Sequence, residues 1–128
     1  MWWPFVGATS ASRAVRFGVD SGACTTIVRK DCCVDYPLLH SGRMFRAANG
    51  KRILQTADGR KLRTEVGDVV KNLLSVADLC DTGHQVTFDN VAGYHAAHAV
   101  HRDTGAILTF ERVGNEFDLV VNVQPQCV

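Results

Sequence analysis

An acidic residue follows an alternating apolar stretch near the start of this chain. Val15, Phe17 and Val19 alternate with other residues, which predicts a β-strand with one buried face. The strand leads directly into Asp20-Ser21-Gly22-Ala23. A carboxylate at the end of a buried strand is costly unless hydrogen bonds or a shared charge offset its desolvation, and Gly22 lets a backbone amide approach it closely. The pattern favours a carboxylate used for chemistry; a β-turn that begins at the aspartate is the alternative.

Two further triplets of the same kind, Asp81–Gly83 and Asp103–Gly105, occur in the chain. Neither follows an alternating apolar strand. Ser75 is a suitable N-cap for a short helix, Asp78 lies three residues later, and Gly83 is suited to end the helix, so the Asp81 triplet is interpreted as a helix end. Asp103 falls in a predicted hairpin turn. Asp20 is therefore the candidate for chemistry.

Short apolar runs separated by turn residues predict an all-β domain with one short helix. Asn49-Gly50 predicts the tip of a hairpin, because this dipeptide favours two-residue β-turns. A second hairpin is predicted to turn at residues 57–60, and strands and turns are predicted up to Val123. We expect one domain over residues 1–128 with its core at about residues 15–123.

Composition limits the classes of function. The net charge of the 128 residues is +1, which does not favour binding to nucleic acid or to a membrane surface. No apolar run approaches the ~20 residues of a membrane span. The five cysteines have no regular spacing, which argues against a disulfide framework or a structural zinc site and for a reducing compartment such as the cytoplasm. The adjacent residues Cys32 and Cys33 are not expected to bridge each other easily.

Two alternative kinds of binding site are weaker. Three histidines follow each other at intervals of three, and imidazole is a good zinc ligand. On the predicted strand the central histidine would point away from the other two, so exposed histidines are favoured. A basic cluster could bind nucleic acid, but no aromatic residues accompany it, and a solvated hairpin is favoured. The histidines are His95, His98 and His101, and the basic residues are Arg43, Arg46, Lys51 and Arg52.

The order of these parts resembles the retropepsins, the single-domain aspartic proteases of retroviruses and retrotransposons. The run Asp20-Ser21-Gly22-Ala23 is similar to their active-site signature, Asp-Thr/Ser-Gly-Ala after an apolar strand. The run that begins at Asn72 and ends at Phe88 resembles the Leu-Leu-Ser-Val stretch of Copia-type retrotransposon polyproteins. The resemblance covers residues 15–123 and implies a retropepsin-like acid-protease β-barrel with one short helix near residues 75–82.

The resemblance also implies a mechanism. Two chains would form a homodimer in which each contributes Asp20, and the paired carboxylates would activate one water for hydrolysis of a peptide bond. The substrate would be an extended segment of a retroelement polyprotein, and no cofactor or metal is implied. The remaining site residues implied are Ser21, Gly22 and Ala23 as support for Asp20, Ala47, Ala48, Asn49 and Gly50 as the flap, and Leu73 and Leu74 as the substrate pockets.

A domain that binds peptides or a protein partner without cutting them is the alternative function. The segment between the predicted flap tip and Leu73 is shorter than in retroviral members of the family, which favours this alternative. Tight binding of a statine-type inhibitor would separate the two, because such binding needs an assembled pair of carboxyl groups.

Overall fold

The computed structural model describes residues 12–40, 48–89 and 97–126. Within these ranges the chain is mostly β-strand and contains one short helix, as the sequence predicts. The elements in chain order are β1 (Arg13–Asp20), β2 (Ile27–Arg29), β3 (Ala48–Gln55), β4 (Lys61–Gly67), β5 (Leu73–Ser75), α1 (Val76–Asp81), β6 (His84–Thr87), β7 (His98–His101), β8 (Ile107–Thr109), β9 (Glu111–Val113) and β10 (Glu116–Val123).

The described strands form two sheets. Seven strands lie in the order β3-β4-β2-β5-β1-β10-β9, and the other three lie in the order β6-β7-β8. Two pairs of neighbours are parallel, β1 with β5 and β2 with β4, and the other pairs are antiparallel. Strand β1 therefore lies inside the larger sheet, bonded to β10 along residues 13–18 and to β5 along residues 18–20.

The all-β prediction is confirmed. The described strands do not, however, close into the barrel that the resemblance implies. Strands β3 and β9 are the edges of the larger sheet. The end of β3 does approach the end of β10, where an isolated bridge joins Thr56 to Val123. Gln124 N donates to Gln55 O at 2.8 Å, and Ala57 N donates to Asn122 O at 2.8 Å. This contact joins the two ends only, and no ladder continues from it among the residues that the structure describes.

The alternation in β1 has the predicted consequence. Val15 and Phe17 point into the core, where Phe17 has no exposed surface, whereas Ala14 and Arg16 are exposed. Side chains of a strand point alternately to its two faces, so this pattern buries one face of β1 against the interior. The core also contains Val28 from β2, Leu54 from β3, Val66 from β4 and Leu119 and Val123 from β10.

The predicted helix is confirmed. Helix α1 begins after Ser75, whose hydroxyl accepts a hydrogen bond from Asp78 N at 3.1 Å. It ends at Asp81 with Thr82 as the C-cap, and Gly83 follows with φ +89°. A glycine adopts this left-handed conformation without the steric penalty that a Cβ brings.

The predicted hairpin tip at Asn49-Gly50 is wrong. Strand β3 runs through both residues, with Ala48 opposite Gly67 and Gly50 opposite Val66, and the shift in register between them marks a β-bulge. Gly50 has φ +148°, and a Cβ there would lie 2.7 Å from Leu39 O. The glycine is needed because residues 38–39 lie against β3 at this point, where Leu39 forms an isolated antiparallel bridge with Lys51.

The second predicted hairpin is confirmed. Strands β3 and β4 pair from Ile53 and Arg63 to Gln55 and Lys61, and residues 57–60 make the turn. Gly59 has φ +91°, and Thr56 N donates to Arg60 O at 2.8 Å.

Candidate functional site

Asp20 lies at the end of β1, an inner strand of the larger sheet. The parallel ladder between β1 and β5 places Gly18 opposite Leu73, Val19 opposite Leu74 and Asp20 opposite Ser75. Gly18 N also donates to Asn72 O at 2.9 Å, just before β5 begins, and this bond extends the pairing of β1 with β5. Asp20 is half-buried, and the two residues that follow it are exposed.

The loop after Asp20 folds back on the carboxylate. Gly22 N donates to Asp20 Oδ1 at 2.8 Å, and Ala23 N donates to Asp20 O at 3.4 Å. A Cβ on Gly22 would lie 3.3 Å from Asp20 Oδ1, tighter than most contacts of this kind. The absence of a side chain at position 22 therefore leaves the space in which one carboxylate oxygen lies.

A buried network fixes the far side of this loop. Ser75, which has no exposed surface, donates from Oγ to Ala23 O at 2.8 Å, and Ser75 N donates to Thr26 Oγ1 at 3.1 Å. Asp78 Oδ2 accepts from Thr26 N at 2.8 Å. In a capping box the Asp78 carboxylate would bond the Ser75 amide. Here it bonds the Asp20 loop instead, so the start of α1 is tied to that loop.

Asp20 lines a cleft of about 410 Å³. Apolar side chains from distant parts of the chain contribute to its walls: Leu73 from β5, Phe117 from β10, and Phe88, which follows β6. The rings of Phe88 and Phe117 pack with their centroids 5.2 Å apart. The cleft thus combines the carboxylates of Asp20 and Glu116 with apolar surface, and ligand sites commonly pair a few polar groups with apolar walls.

A group of charged residues lies along the same side of β1. Lys71 Nζ donates to Glu116 Oε1 at 2.9 Å and to Asp118 Oδ1 at 3.0 Å, and Arg16 lies 3.2 Å from the other oxygen of Asp118. The two carboxylates raise the pKa of Lys71, chiefly through these hydrogen bonds. A Cβ on Gly18 would lie 2.8 Å from the Lys71 side chain. The small residue at position 18 therefore lets this lysine cross β1 next to the cleft, whose lining includes Glu116.

The residues expected beside Asp20 are close to it in different ways. Ser21 lines the cleft, Gly22 bonds the carboxylate, and Ala23 offers its carbonyl to Ser75. The two leucines of β5 point in opposite directions, as consecutive strand residues do. Leu73 lines the cleft, whereas Leu74 is buried in the core and lines a separate cavity of about 910 Å³.

The expected flap is only partly described. Ala47 lies outside the described residues, and nothing is described of the side chains of Ala48 and Asn49. The backbone of residues 48–50 belongs to β3 and pairs with β4. A role of these residues over a substrate stays a prediction.

Sequence reasoning missed Phe88, Glu116 and Phe117 as cleft residues. Each was interpreted only as part of a strand or turn. Phe117 and Glu116 reach Asp20 because β10 pairs with β1, with Gly18 opposite Asp118 across a sequence separation of a hundred residues. No local pattern in the sequence indicates this pairing.

The three histidines spaced at intervals of three do not form a metal site in the part of the chain that the structure describes. His98 and His101 lie at the two ends of β7, and His95 is outside the described residues. Across residues 12–40, 48–89 and 97–126, no three side chains of the histidine, cysteine, aspartate or glutamate type come together as metal ligands. No helix in those same ranges is long and apolar enough to cross a membrane.

Comparison with protein-family models, with curated proteins and with solved structures found no match to this chain. The function must therefore be argued from the residues of the site.

Proposed function

We propose that this domain is an aspartic endopeptidase of the retropepsin type, active as a homodimer with one Asp20 from each chain. The observation that carries the proposal is the setting of Asp20. Its carboxylate ends an inner strand, accepts a hydrogen bond from Gly22 N at 2.8 Å and lines a cleft that also contains Leu73, Phe88 and Phe117. The proposed family further implies the retropepsin fold and a retroelement polyprotein as the substrate.

The exposed loop supports pairing of two chains. Ser21 and Gly22 are exposed, so a second copy can approach the loop around a two-fold axis. Two carboxyl groups brought together in this way cannot both ionise, so they share one proton and titrate as a pair. The ionised Asp20 takes a proton from the attacking water, and the protonated Asp20 donates to the oxygen of the scissile carbonyl.

The cleft wall supports an apolar side chain of the substrate next to the scissile bond. Leu73, Phe88 and Phe117 offer apolar surface beside Asp20. An extended peptide would lie along the loop and be held by backbone hydrogen bonds, in the manner of an added strand.

The first experiment compares wild type with Asp20→Asn at mildly acidic pH on a library of unstructured peptides, with cleavage read by mass spectrometry. We expect cleavage by wild type next to apolar residues and none by the variant, since the amide cannot act as a base. Analytical ultracentrifugation should find both proteins dimeric. Equal cleavage by the two proteins, or activity in a purely monomeric sample, contradicts the proposal.

A mixing experiment tests whether each dimer needs both aspartates. When equal amounts of wild type and Asp20→Asn exchange subunits at random, only about a quarter of the dimers contain two aspartates. The activity per wild-type chain should then fall to about half. A monomeric enzyme would keep its full activity in the mixture.

A second candidate is a domain that binds extended peptides without cutting them. The pairing of residues 48–50 with β4 favours it, because the hairpin tip predicted to close over a substrate is not formed at Asn49-Gly50. The statine-type hydroxyl separates the two candidates. A catalytic dimer binds a statine-containing peptide far more tightly than the same peptide without the hydroxyl, whereas a binding domain treats the two peptides alike.

A further inference from the structure

We infer that Cys32 and Cys33 form an oxidation site in which a hydroperoxide converts two neighbouring thiols into a disulfide that cellular thiols can reduce. The two residues lie in the turn after β2, and neither lines the Asp20 cleft. Oxidation at this pair does not require the proposed protease activity.

The backbone already holds the two sulfur atoms together. Their Sγ atoms lie 3.6 Å apart. Cys33 has φ +54° and is the one residue other than glycine with a positive φ in the described parts of the chain. This left-handed conformation is strained for a residue with a Cβ. Two cysteines that only filled space in the core would not need this strained backbone conformation at Cys33.

The turn itself is fixed by backbone bonds. Cys32 N donates to Arg29 O at 3.0 Å, and Tyr36 N donates to Cys33 O at 3.0 Å. The Cys33 side chain is buried in the core, whereas Cys32 is half-buried. We therefore assign the first contact with a peroxide to Cys32, the more exposed residue of the pair.

The surroundings favour the thiolate at Cys32. The hydrogen bond with the Cys33 thiol, the Asn72 amide 3.6 Å from its sulfur and the charge of Arg13 together lower the pKa of Cys32 to about 7, against the opposing effects of burial and Asp31. The bond to Cys32 and burial raise the pKa of Cys33. The other charged and titratable groups near the pair are Asp35, which bonds Arg13 at 2.6 Å, and Tyr36.

The chemistry follows from this division. The Cys32 thiolate attacks one oxygen of the hydroperoxide, so that an S–O bond forms and the O–O bond breaks, and the leaving oxygen takes up a proton as water or an alcohol. Cys33 then loses its proton and its sulfur attacks the Cys32 sulfur. The S–S bond forms, the S–O bond breaks, and the hydroxide leaves with that proton as water. The two thiols lose two electrons, and the peroxide gains them.

The disulfide would be easily reduced. Neighbouring Cα atoms across a trans peptide are about 3.8 Å apart, which is shorter than the ~4.4 Å at the lower end of the range for unstrained disulfides. Strained disulfides have more oxidising potentials and are the labile ones. From sequence the adjacent residues are not expected to bridge each other easily. The 3.6 Å approach of their sulfur atoms is the observation that favours a bridge all the same.

The experiment uses the full chain and hydrogen peroxide near neutral pH. After oxidation, free thiols are blocked with N-ethylmaleimide and the protein is digested with trypsin without reduction. Residues 31–43 form a tryptic peptide that contains Cys32 and Cys33 and no other cysteine. We expect this peptide to carry no label and to have lost two hydrogen atoms, and dithiothreitol should restore two labelled thiols. The exposed residues Cys24 and Cys80 report oxidation outside the pair in the same digest.

Two further measurements test the sulfenic acid intermediate and the effect of the folded structure on the rate of oxidation. In Cys33→Ala the Cys32 sulfenic acid should persist and be trapped by dimedone, with the gain of one oxygen atom before trapping. In urea the pair of the wild type should oxidise about threefold more slowly at pH 7, because the thiolate fraction falls while the nucleophilicity of each thiolate rises. A peptide 31–43 that keeps two labels, or that links to the peptide of another cysteine, overturns the inference.

Discussion

The triplets Asp20–Gly22 and Asp81–Gly83 have nearly the same composition and opposite surroundings. Asp20 ends β1, which is bonded on both sides, and its carboxylate is held by Gly22 N and lines a cleft. Asp81 ends α1 and is exposed. Its neighbour Thr82 caps the helix and donates from Oγ1 to the carbonyls of Asp78 and Leu79 at 2.9 and 3.0 Å.

The two glycines of these triplets serve different purposes. Gly83 has φ +89°, so it is there for a backbone conformation. Gly22 has no such φ, and a Cβ on it would lie 3.3 Å from Asp20 Oδ1, so it is there for space. The element that precedes the triplet decides which role the residues take: a helix needs an end, whereas a buried strand delivers a carboxylate to the surface of the sheet.

The largest expected difference between the triplets is in peptide cleavage. Asp20→Asn should abolish cleavage, whereas Asp81→Asn should leave it within about twofold of wild type, because an exposed residue at a helix end contributes little. Cleavage rates of both variants on one peptide provide the measurement. Loss of cleavage in Asp81→Asn at unchanged folding would remove the distinction between the triplets.

The next effect is on stability and contrasts the two ends of α1. Ser75→Ala removes a buried hydroxyl that caps the helix and bonds Ala23 O, so we expect a loss of about 2 kcal/mol in the free energy of unfolding. Thr82→Ala, at the exposed end of the helix, should cost about 0.5 kcal/mol. Urea unfolding followed by circular dichroism measures both. Equal losses would show that the bond to the Asp20 loop adds nothing beyond an ordinary cap.

Alanine at the two glycines should separate stability from activity. Gly83→Ala forces a Cβ into the left-handed region and against His101 Nε2 at 3.3 Å, which should cost about 1 kcal/mol and leave the cleavage rate of folded protein unchanged. Gly22→Ala should change stability by less than about 0.5 kcal/mol but displace the Asp20 carboxylate and lower cleavage. Urea unfolding and cleavage rates are therefore measured for both variants. A loss of stability in Gly22→Ala together with a loss of cleavage in Gly83→Ala would contradict the roles given to the two glycines.

The smallest effect is a pH dependence at the Asp81 end. Burial lowers the pKa of His84, while its bond to Leu79 O opposes the change, and His101 and Arg60 add to the lowering. The unfolded chain has the ordinary value of about 6.5, so it binds more protons as the pH falls below that value. The contribution of neutral His84 to stability is therefore present above about pH 6.5 and is lost as the pH falls towards the folded pKa.

His84→Gln should flatten this dependence. Urea midpoints at several values between neutral and mildly acidic pH should fall less steeply in the variant than in wild type. Identical slopes would place the acid sensitivity elsewhere. The measurement also sets the pH at which cleavage assays still use folded protein.

Local signals were sufficient for several elements. The N-cap at Ser75 and the glycine at position 83 predict the two ends of a short helix, and the structure has α1 between them. The alternation of Val15, Phe17 and Val19 likewise predicts β1, and residues 57–60 predict the second hairpin. In each case the residues that determine the element lie within it or next to it.

Signals that depend on distant contacts were misread or absent. Asn49-Gly50 has the composition of a tight turn, yet Leu38 and Leu39 lie against the strand there and the glycine makes room for them. The cleft wall at Phe88 and Phe117 depends on the pairing of β10 with β1 and on the packing of Phe88 against Phe117. These contacts join residues that are far apart in the sequence, and no local sequence pattern indicates them. Asp20 could therefore be predicted from the sequence, whereas most of the residues around it could not.

The contact between Thr56 and Val123 has a consequence for the order of folding. The last strand, β10, bonds β1 along residues 13–18, and its end bonds the end of β3 through Gln55 and Gln124. Tyr36 Oη also donates to Gln124 O at 2.5 Å. During synthesis the earlier strands therefore wait for residues 116–124 to leave the ribosome before the domain is complete. A nascent chain stalled before this point should be digested by added protease, and one stalled well after it should resist.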